Sequence, residues 1–361
     1  MPLLRSYFYF AFRNSRLAPG ATNISLLRSF GIVKSYFGLL VAIAVIIGAS
    51  FLTPFLNQYI LGRVMYIGIM ISLAVSLNLI NGFTGQFSLG HAGFMAVGAY
   101  TSAVITTYLS THGYAMNGVT GVLAFLIALG IGGILAAVAG LGVGIPSLRL
   151  RGDYLAIVTL GFNEIIRVII QNLDFKIAGV DYIGGARGFS VLPLTSFVWV
   201  FIVAAIVIFC VENLVNSTYG RGFLAVRDDE IAAEAMGVDT TRFKVRAFVV
   251  GAFFAGVGGG LFAHSNYDIT PLDFTFLTSI DIVVIVILGG MGSTIGVILA
   301  AVILTTLSEL LRSVPEYRMI IYSLLLVILM ITRPQGLLGP ETVKRLFKRR
   351  RAEPLITPID A

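Results

Sequence analysis

From residue 196 to residue 264 the chain reads SFVWVFIVAAIVIFCVENL (196–214), VNSTYGRGFLAVRDDEIAAEAMGVDTTRFK (215–244) and VRAFVVGAFFAGVGGGLFAH (245–264). Two apolar runs, each long enough for a helix to cross about 30 Å of hydrocarbon, enclose one charged stretch. Within it, Asp228, Asp229 and Glu230 stand at the start of an expected short helix, where the positive end of the helix dipole favours acids. Ala232, Ala233 and Ala235 propagate that helix, and Gly237 is placed to end it in the left-handed conformation. Ile231 and Met236 add apolar knobs, Glu234 adds charge, and Arg221 and Arg227 flank the stretch. A surface helix of this make-up suits the groove of a soluble partner. The plainer alternative is a solvated loop.

The apolar pattern extends outward from these two runs. The chain of 361 residues is 57% hydrophobic and 12% charged, where a soluble domain carries about a quarter charged residues. Spans are expected at 37–55, 60–80, 86–109, 119–146, 153–172, 196–214, 245–264, 276–290, 294–312 and 317–333. Short alternating segments of the β-barrel kind do not occur, so the fold class is an all-α polytopic membrane protein of about ten helices. Residues 1–36 form a basic segment, 37–333 the transmembrane domain with a polar loop at 215–244, and 334–361 a basic tail.

Charge fixes the expected orientation. Arg5, Arg13, Arg16, Arg28 and Lys34 precede the first span; Lys344, Arg345, Lys348, Arg349, Arg350 and Arg351 follow the last. Basic clusters beside spans mark cytoplasmic ends, so both termini should be cytoplasmic and the span count even. Splitting 276–312 at Gly289-Gly290-Met291-Gly292-Ser293 gives ten, and also places Arg149, Arg151, Arg242, Lys244 and Arg246 inside. The cost is that 276–290 is short and could be a re-entrant half-helix, tolerable only where protein buries its turn. The net charge of +7 lies beside the spans, which makes lipids rather than nucleic acid the partner. The start of the chain lacks the pattern of a cleaved signal peptide. The loop 173–195 should be extracytoplasmic, and the single cysteine, Cys210, should be a small buried hydrophobe.

Polar residues inside apolar runs are the candidate path. Asn78, Asn81, Gln86, Ser88 and His91 gather with four glycines where the second and third spans meet, suggesting backbone that bends at membrane depth. His91 is read either as a pathway residue or as a packed hydrogen-bonding group. Asn163, Glu164 and Arg167 lie on the fifth span, with Glu164 about 16 Å along it, near mid-bilayer. Glu164 and Arg167 are three apart and can pair, as a structural element or as part of the path. Asp281 is a further intramembrane acid. Small residues recur every fourth position at Ala247, Gly251, Ala255, Gly259 and Ala263, and at Ser88, Ala92 and Ala96, which reads as close helix packing. His112 and His264 are too far apart in sequence for metal-ligand spacing. None of the five lysines follows a glycine, so a phosphate-binding loop is absent and no residue set suggests covalent catalysis.

Four ordered motifs carry a family resemblance: NGFTGQFSLGHAGFMAVGAY (81–100), LRLRGDYLAIVTLGFNEIIR (148–167), Gly220 to Gly237, and VILGGMGSTIG (286–296). Together they resemble the LivM-type permease subunit of branched-chain amino acid ABC importers, from about residue 60 to the RPQGLLG run at 333–339. The resemblance implies a bacterial inner-membrane permease of the branched-chain amino acid and ribose permease type, with no enzyme activity of its own. It implies a second, LivH-like permease subunit, two cytoplasmic ATP-binding subunits that bind the ATP and magnesium, and a periplasmic solute-binding protein. The stretch from Asp228 to Gly237 would then be the coupling helix in the ATPase groove, with Arg221 and Arg227 beside it. Urea or short amides are the rival cargo; an ion-coupled secondary transporter and a non-transporting scaffold are rivals of other classes.

Overall fold

The computed structural model describes residues 38–313, apart from 115, 117, 148–153 and 178–179, and scattered positions from 320 to 336. The basic segment 1–36, Arg149 and Arg151, most of the expected span 317–333 and the basic tail lie outside the described residues.

Every span expected between residues 37 and 312 has a helix. These are α1 (Gly38–Phe55), α2 (Gln58–Asn78), α3 (His91–Thr111), α4 (Gly118–Ser147), α5 (Tyr154–Asn172) and α6 (Phe197–Val215). After the short helices α7 (Thr218–Asp228) and α8 (Glu230–Ala235) come α9 (Thr240–Ser265), α10 (Phe276–Gly289) and α11 (Thr294–Leu310). The expected third span was drawn from 86. Its helix begins only at His91, so Gln86 and Ser88 lie in irregular backbone. Asn81 folds back on Ser88 and removes the latter's amide from any helical ladder, which is why the helix starts late.

The helices alternate in direction between two ends. At one end lie α7 and α8, the turn 84–90 and the turn 290–293. At the other, the hairpin β1 (Asp174–Ile177) with β2 (Val180–Gly184) and the pair β3 (Phe189–Ser190) with β4 (Asp268–Ile269) join two connections far apart in sequence. The segment 276–312 is indeed two helices, and α10 and α11 pack on each other as a hairpin.

Helix α9 packs on α4, α3 and α2, and α2 on α6, α10 and α11. From Gly68 to Asn78, α2 is buried on every side, as expected of a helix apolar all round. The least hydropathic spanning helix, α3, is among the most buried, whereas α1 buries none of its residues. Lipid supplies no hydrophobic drive between helices, so the interior is made by small residues in close contact. The α9 stripe does this: Ala247, Gly251, Ala255, Gly259 and Ala263 are all buried. On α3 the stripe is carried by Ala92 and Ala96, with Ser88 outside the helix. At the tightest point a Cβ on Gly98 would sit 2.1 Å from the Gly256 carbonyl oxygen, so only glycine lets α3 and α9 touch there. Cys210 is half-buried on α6, less enclosed than expected.

Candidate functional site

The charged stretch folds as two helices, not one. Ser217 caps α7, its Oγ accepting from the Gly220 amide at 3.3 Å. Asp228 ends that helix rather than starting the next. Asp229 adopts extended backbone and caps α8, its Oδ1 accepting from the amides of Ile231 (2.9 Å) and Ala232 (3.0 Å). Gly237 closes α8 at a φ of 82°, with the Val238 amide donating to the Ala233 carbonyl at 3.0 Å.

A six-residue helix is not stable alone, and α9 holds this one. Lys244 Nζ reaches Glu230 Oε1 at 2.5 Å, and Thr240 Oγ1 donates to Glu234 Oε1 at 2.8 Å. Ala233 is buried, so it faces inward instead of toward a partner. Outward stand Arg221, Asp228, Asp229, Ile231 and Met236, the two apolar knobs 70% and 84% exposed. Phe223 meets Phe243 edge-on with ring centroids 5.8 Å apart and anchors α7 on α9.

The same loop reaches into the bundle. Arg227 is bound by Asp228 Oδ1, which accepts from its Nε (3.1 Å) and one terminal nitrogen (3.0 Å). Its other terminal nitrogen donates to the Gly82 carbonyl at 3.4 Å. Gly82 belongs to a π-helical turn, Leu79–Phe83, that ends α2. Such turns leave carbonyls without their usual helical donor, and Arg227 supplies one. Across the same spot, Asn78 Oδ1 accepts from the Gly292 amide at 2.9 Å. One cluster therefore ties α7, the end of α2 and the α10–α11 turn.

The junction behind it is held by its own polar groups. Asn81 brackets Ser88, accepting from its amide at 3.2 Å and donating to its carbonyl at 3.5 Å. Gln86 Nε2 donates to Thr84 Oγ1 at 2.9 Å and to the Lys244 carbonyl at 3.4 Å. His91 Nε2 shares a 2.8 Å hydrogen bond with Ser76 Oγ, deep in the bundle. Asn78 Nδ2, Gln86 Oε1, His91 Nδ1 and Asn163 Oδ1 are buried without a protein partner, a costly condition at about 1–3 kcal/mol each.

Both helices that start inside the bundle are capped from neighbouring helices. The Ala92 amide at the start of α3 donates to Ser279 Oγ of α10 at 2.9 Å, and the Leu89 amide to Thr159 Oγ1 of α5 at 3.0 Å. Thr275 offers no side-chain cap to α10. Glu164 of α5 takes its place, accepting from the Phe276 amide at 3.3 Å, while Asn163 Nδ2 donates to the Phe274 carbonyl at 3.5 Å. Arg167 Nε holds Glu164 at 2.8 Å and its terminal nitrogen reaches Gln171 at 3.1 Å. The mid-depth carboxylate thus sits at the positive end of a helix that begins at its own level.

The expected path residues form two groups, not one: Asn78, Asn81, Gln86, Ser88 and His91 at the first junction, and Asn163, Glu164 and Arg167 at the start of α10. Sequence reading missed Thr159, Ser279 and the cluster of Tyr59, Arg63 and Glu309, whose members lie up to 250 residues apart. The acid Glu309 inside the ninth apolar run was the available signal.

Comparison with known proteins agrees with this arrangement. The family described as branched-chain amino acid transport system / permease component matches residues 56–330. The high-affinity branched-chain amino acid transport system permease protein LivM of Salmonella typhimurium is 38% identical over 299 residues, covering 75% of this chain and 68% of its own. A probable LivM of Methanocaldococcus jannaschii is 26% identical over 345 residues (81% and 94%), and LivH of Salmonella typhimurium 23% identical over 290 (76% and 92%). No solved structure matches the chain.

Proposed function

Given that the chain belongs to the permease-component family of branched-chain amino acid transport systems, we propose that it is the transmembrane subunit of an ATP-driven importer for branched-chain or other neutral amino acids. It works in the bacterial inner membrane beside a second, LivH-like permease, with two ATP-binding subunits inside and a solute-binding protein outside. The chain hydrolyses nothing itself; ATP and magnesium belong to its partners. The end bearing α7 and α8 is cytoplasmic, as are both termini.

The observation that carries this reading is the Arg227 contact with Gly82, beside the bond between Asn78 and Gly292. A push on α8 from an ATPase is passed to α9 through Glu230–Lys244 and Glu234–Thr240. Through Arg227 it reaches the end of α2 and the α10–α11 turn together. Interrupted segments of this kind are where transporters place substrate and hinges. The orphaned polar atoms of Asn78, Gln86, His91 and Asn163 support the reading: a bundle that alternates between two arrangements satisfies different groups in each. Glu164, with Asn163 and Arg167, acts as the cap that keeps the start of α10 in place.

The test uses the exposed knobs. Ile231→Glu with Met236→Glu leaves every contact of α8 with α9 intact but spoils an apolar groove contact. Leucine uptake by the complete complex should fall at least tenfold, and the ATP-binding subunits should no longer copurify. Normal copurification and uptake would overturn the coupling role.

A further inference from the structure

Between α2, α10 and α11 the structure holds a cavity of about 580 Å³, within the range of small-molecule sites. It opens at the end bearing the β-strands. Tyr59 and Met70 both line it, eleven residues apart on α2, so it descends about 16 Å. Its floor is Asp281, which lies eight residues, or about 12 Å, before the end of α10 at Gly289. Met70 lies equally far from Asn78, so the two mark one level.

The rim is charged. Arg63 Nε pairs with Glu309 Oε2 at 2.9 Å; Tyr59 bonds Glu309, and Arg312 bonds Tyr59. Both guanidinium groups also lie over the Tyr59 ring, 5.2 and 5.5 Å from its centroid. Two arginines against one glutamate leave the rim positive, while the floor carries an acid. The walls between them are apolar: Ile60, Ile67 and Ile285. Asp281 is exposed on this face, at a depth where hydrocarbon is the alternative surrounding. Ionisable groups at such depth face a cavity or another protein, not lipid.

We infer that this cavity is the subunit's half of the entry path, built for a zwitterion with an apolar side chain that descends ammonium first. The positive rim orients the carboxylate outward, Asp281 receives the ammonium, and the isoleucines and Met70 cover the side chain. Arg63 and Asp281 are about 10 Å apart along α2, farther than the head of one α-amino acid, so they act in turn rather than together. The partner permease covers the open side of the cavity. This rests on the importer reading and adds to it the groups that recognise the cargo.

The experiment uses the complete reconstituted complex, with binding protein loaded with leucine. Asp281→Asn should cut leucine uptake at least tenfold and Asp281→Glu should restore part of it; Arg63→Gln should raise the half-saturating concentration about threefold. In a chain with Cys210→Ser, Ile67→Cys should react with a membrane-impermeant thiol reagent added outside, and leucine delivery should slow that reaction. Wild-type uptake by Asp281→Asn, or labelling indifferent to leucine, would overturn the inference. A wild-type complex that imports no member of a panel of neutral amino acids would instead overturn the importer reading beneath it.

Discussion

Two contacts a few turns apart in the bundle are built from opposite materials. Where α3 meets α9, side chains are absent: Gly98 lies against the Gly256 backbone, and Gly259 against the Met95 carbonyl. Where α7 meets the ends of α2 and α10, long polar side chains do the joining, through Arg227, Asp228 and Asn78. Backbone against backbone leaves no room to shift, so the first contact fixes a scaffold. A guanidinium at 3.4 Å from one carbonyl is easily lengthened or exchanged, so the second suits a joint. The difference separates residues whose loss should unfold the protein from residues whose loss should only disconnect it.

The scaffold gives the largest effect. In Gly98→Leu the new Cβ would lie 2.1 Å from the Gly256 oxygen and 2.3 Å from its Cα, with no flexible group to yield. Overpacking of this kind should cost more than about 3 kcal/mol, read as loss of folded protein in detergent melting curves. A variant that melts like the wild type would show that α3 and α9 slide freely and would dissolve the contrast.

At the joint, Arg227→Ala should leave the melting temperature within a few degrees while cutting substrate-stimulated ATP hydrolysis of the assembled complex about tenfold. Arg227→Lys should not restore it, because a single ammonium cannot bind Asp228 with two nitrogens and the Gly82 carbonyl with a third. If the lysine variant is fully active, charge alone suffices and the forked geometry is irrelevant.

Glu164 stands between the two classes, since it caps a helix and pairs with Arg167. The pair is partly exposed, with side chains 30% and 21% accessible, so its coupling should be about 1 kcal/mol rather than the several expected of a buried pair. A double-mutant cycle of Glu164→Gln and Arg167→Gln on melting free energy measures it. A coupling near zero would leave the cap to the Phe276 amide as the carboxylate's sole structural task.

Apolar run length made the helices legible, because a span must satisfy its backbone internally and so shows as an uninterrupted stretch. The division of 276–312 was legible from charge parity alone. The start of α3 was not: Gln86 and Ser88 read as the head of an apolar run, and only the fold of Asn81 onto Ser88 excludes them. The charged loop was read as one helix because Asp228, Asp229 and Glu230 are all good helix-starting residues; the capping geometry of Asp229 selects between them. The exposed knobs Ile231 and Met236 followed from local pattern, but the inward turn of Glu230 and Glu234 needed the position of α9, which no local pattern carries.

The smallest effect comes from a glycine that belongs to neither contact. Gly130 lies in α4, the helix whose Gly132 and Gly133 press on α3 and α9, yet a Cβ there meets nothing within 4 Å. Gly130→Ala removes backbone freedom from the unfolded chain without touching a neighbour, and so should raise stability by about 0.5–1 kcal/mol. Gly132→Ala, two residues on, would bring its Cβ to 2.8 Å from the Gly98 carbonyl and should lower stability instead. Opposite signs within one turn of one helix would locate the scaffold contact to a single face of α4. Equal signs would mean that the small residues of this helix serve its flexibility rather than its packing.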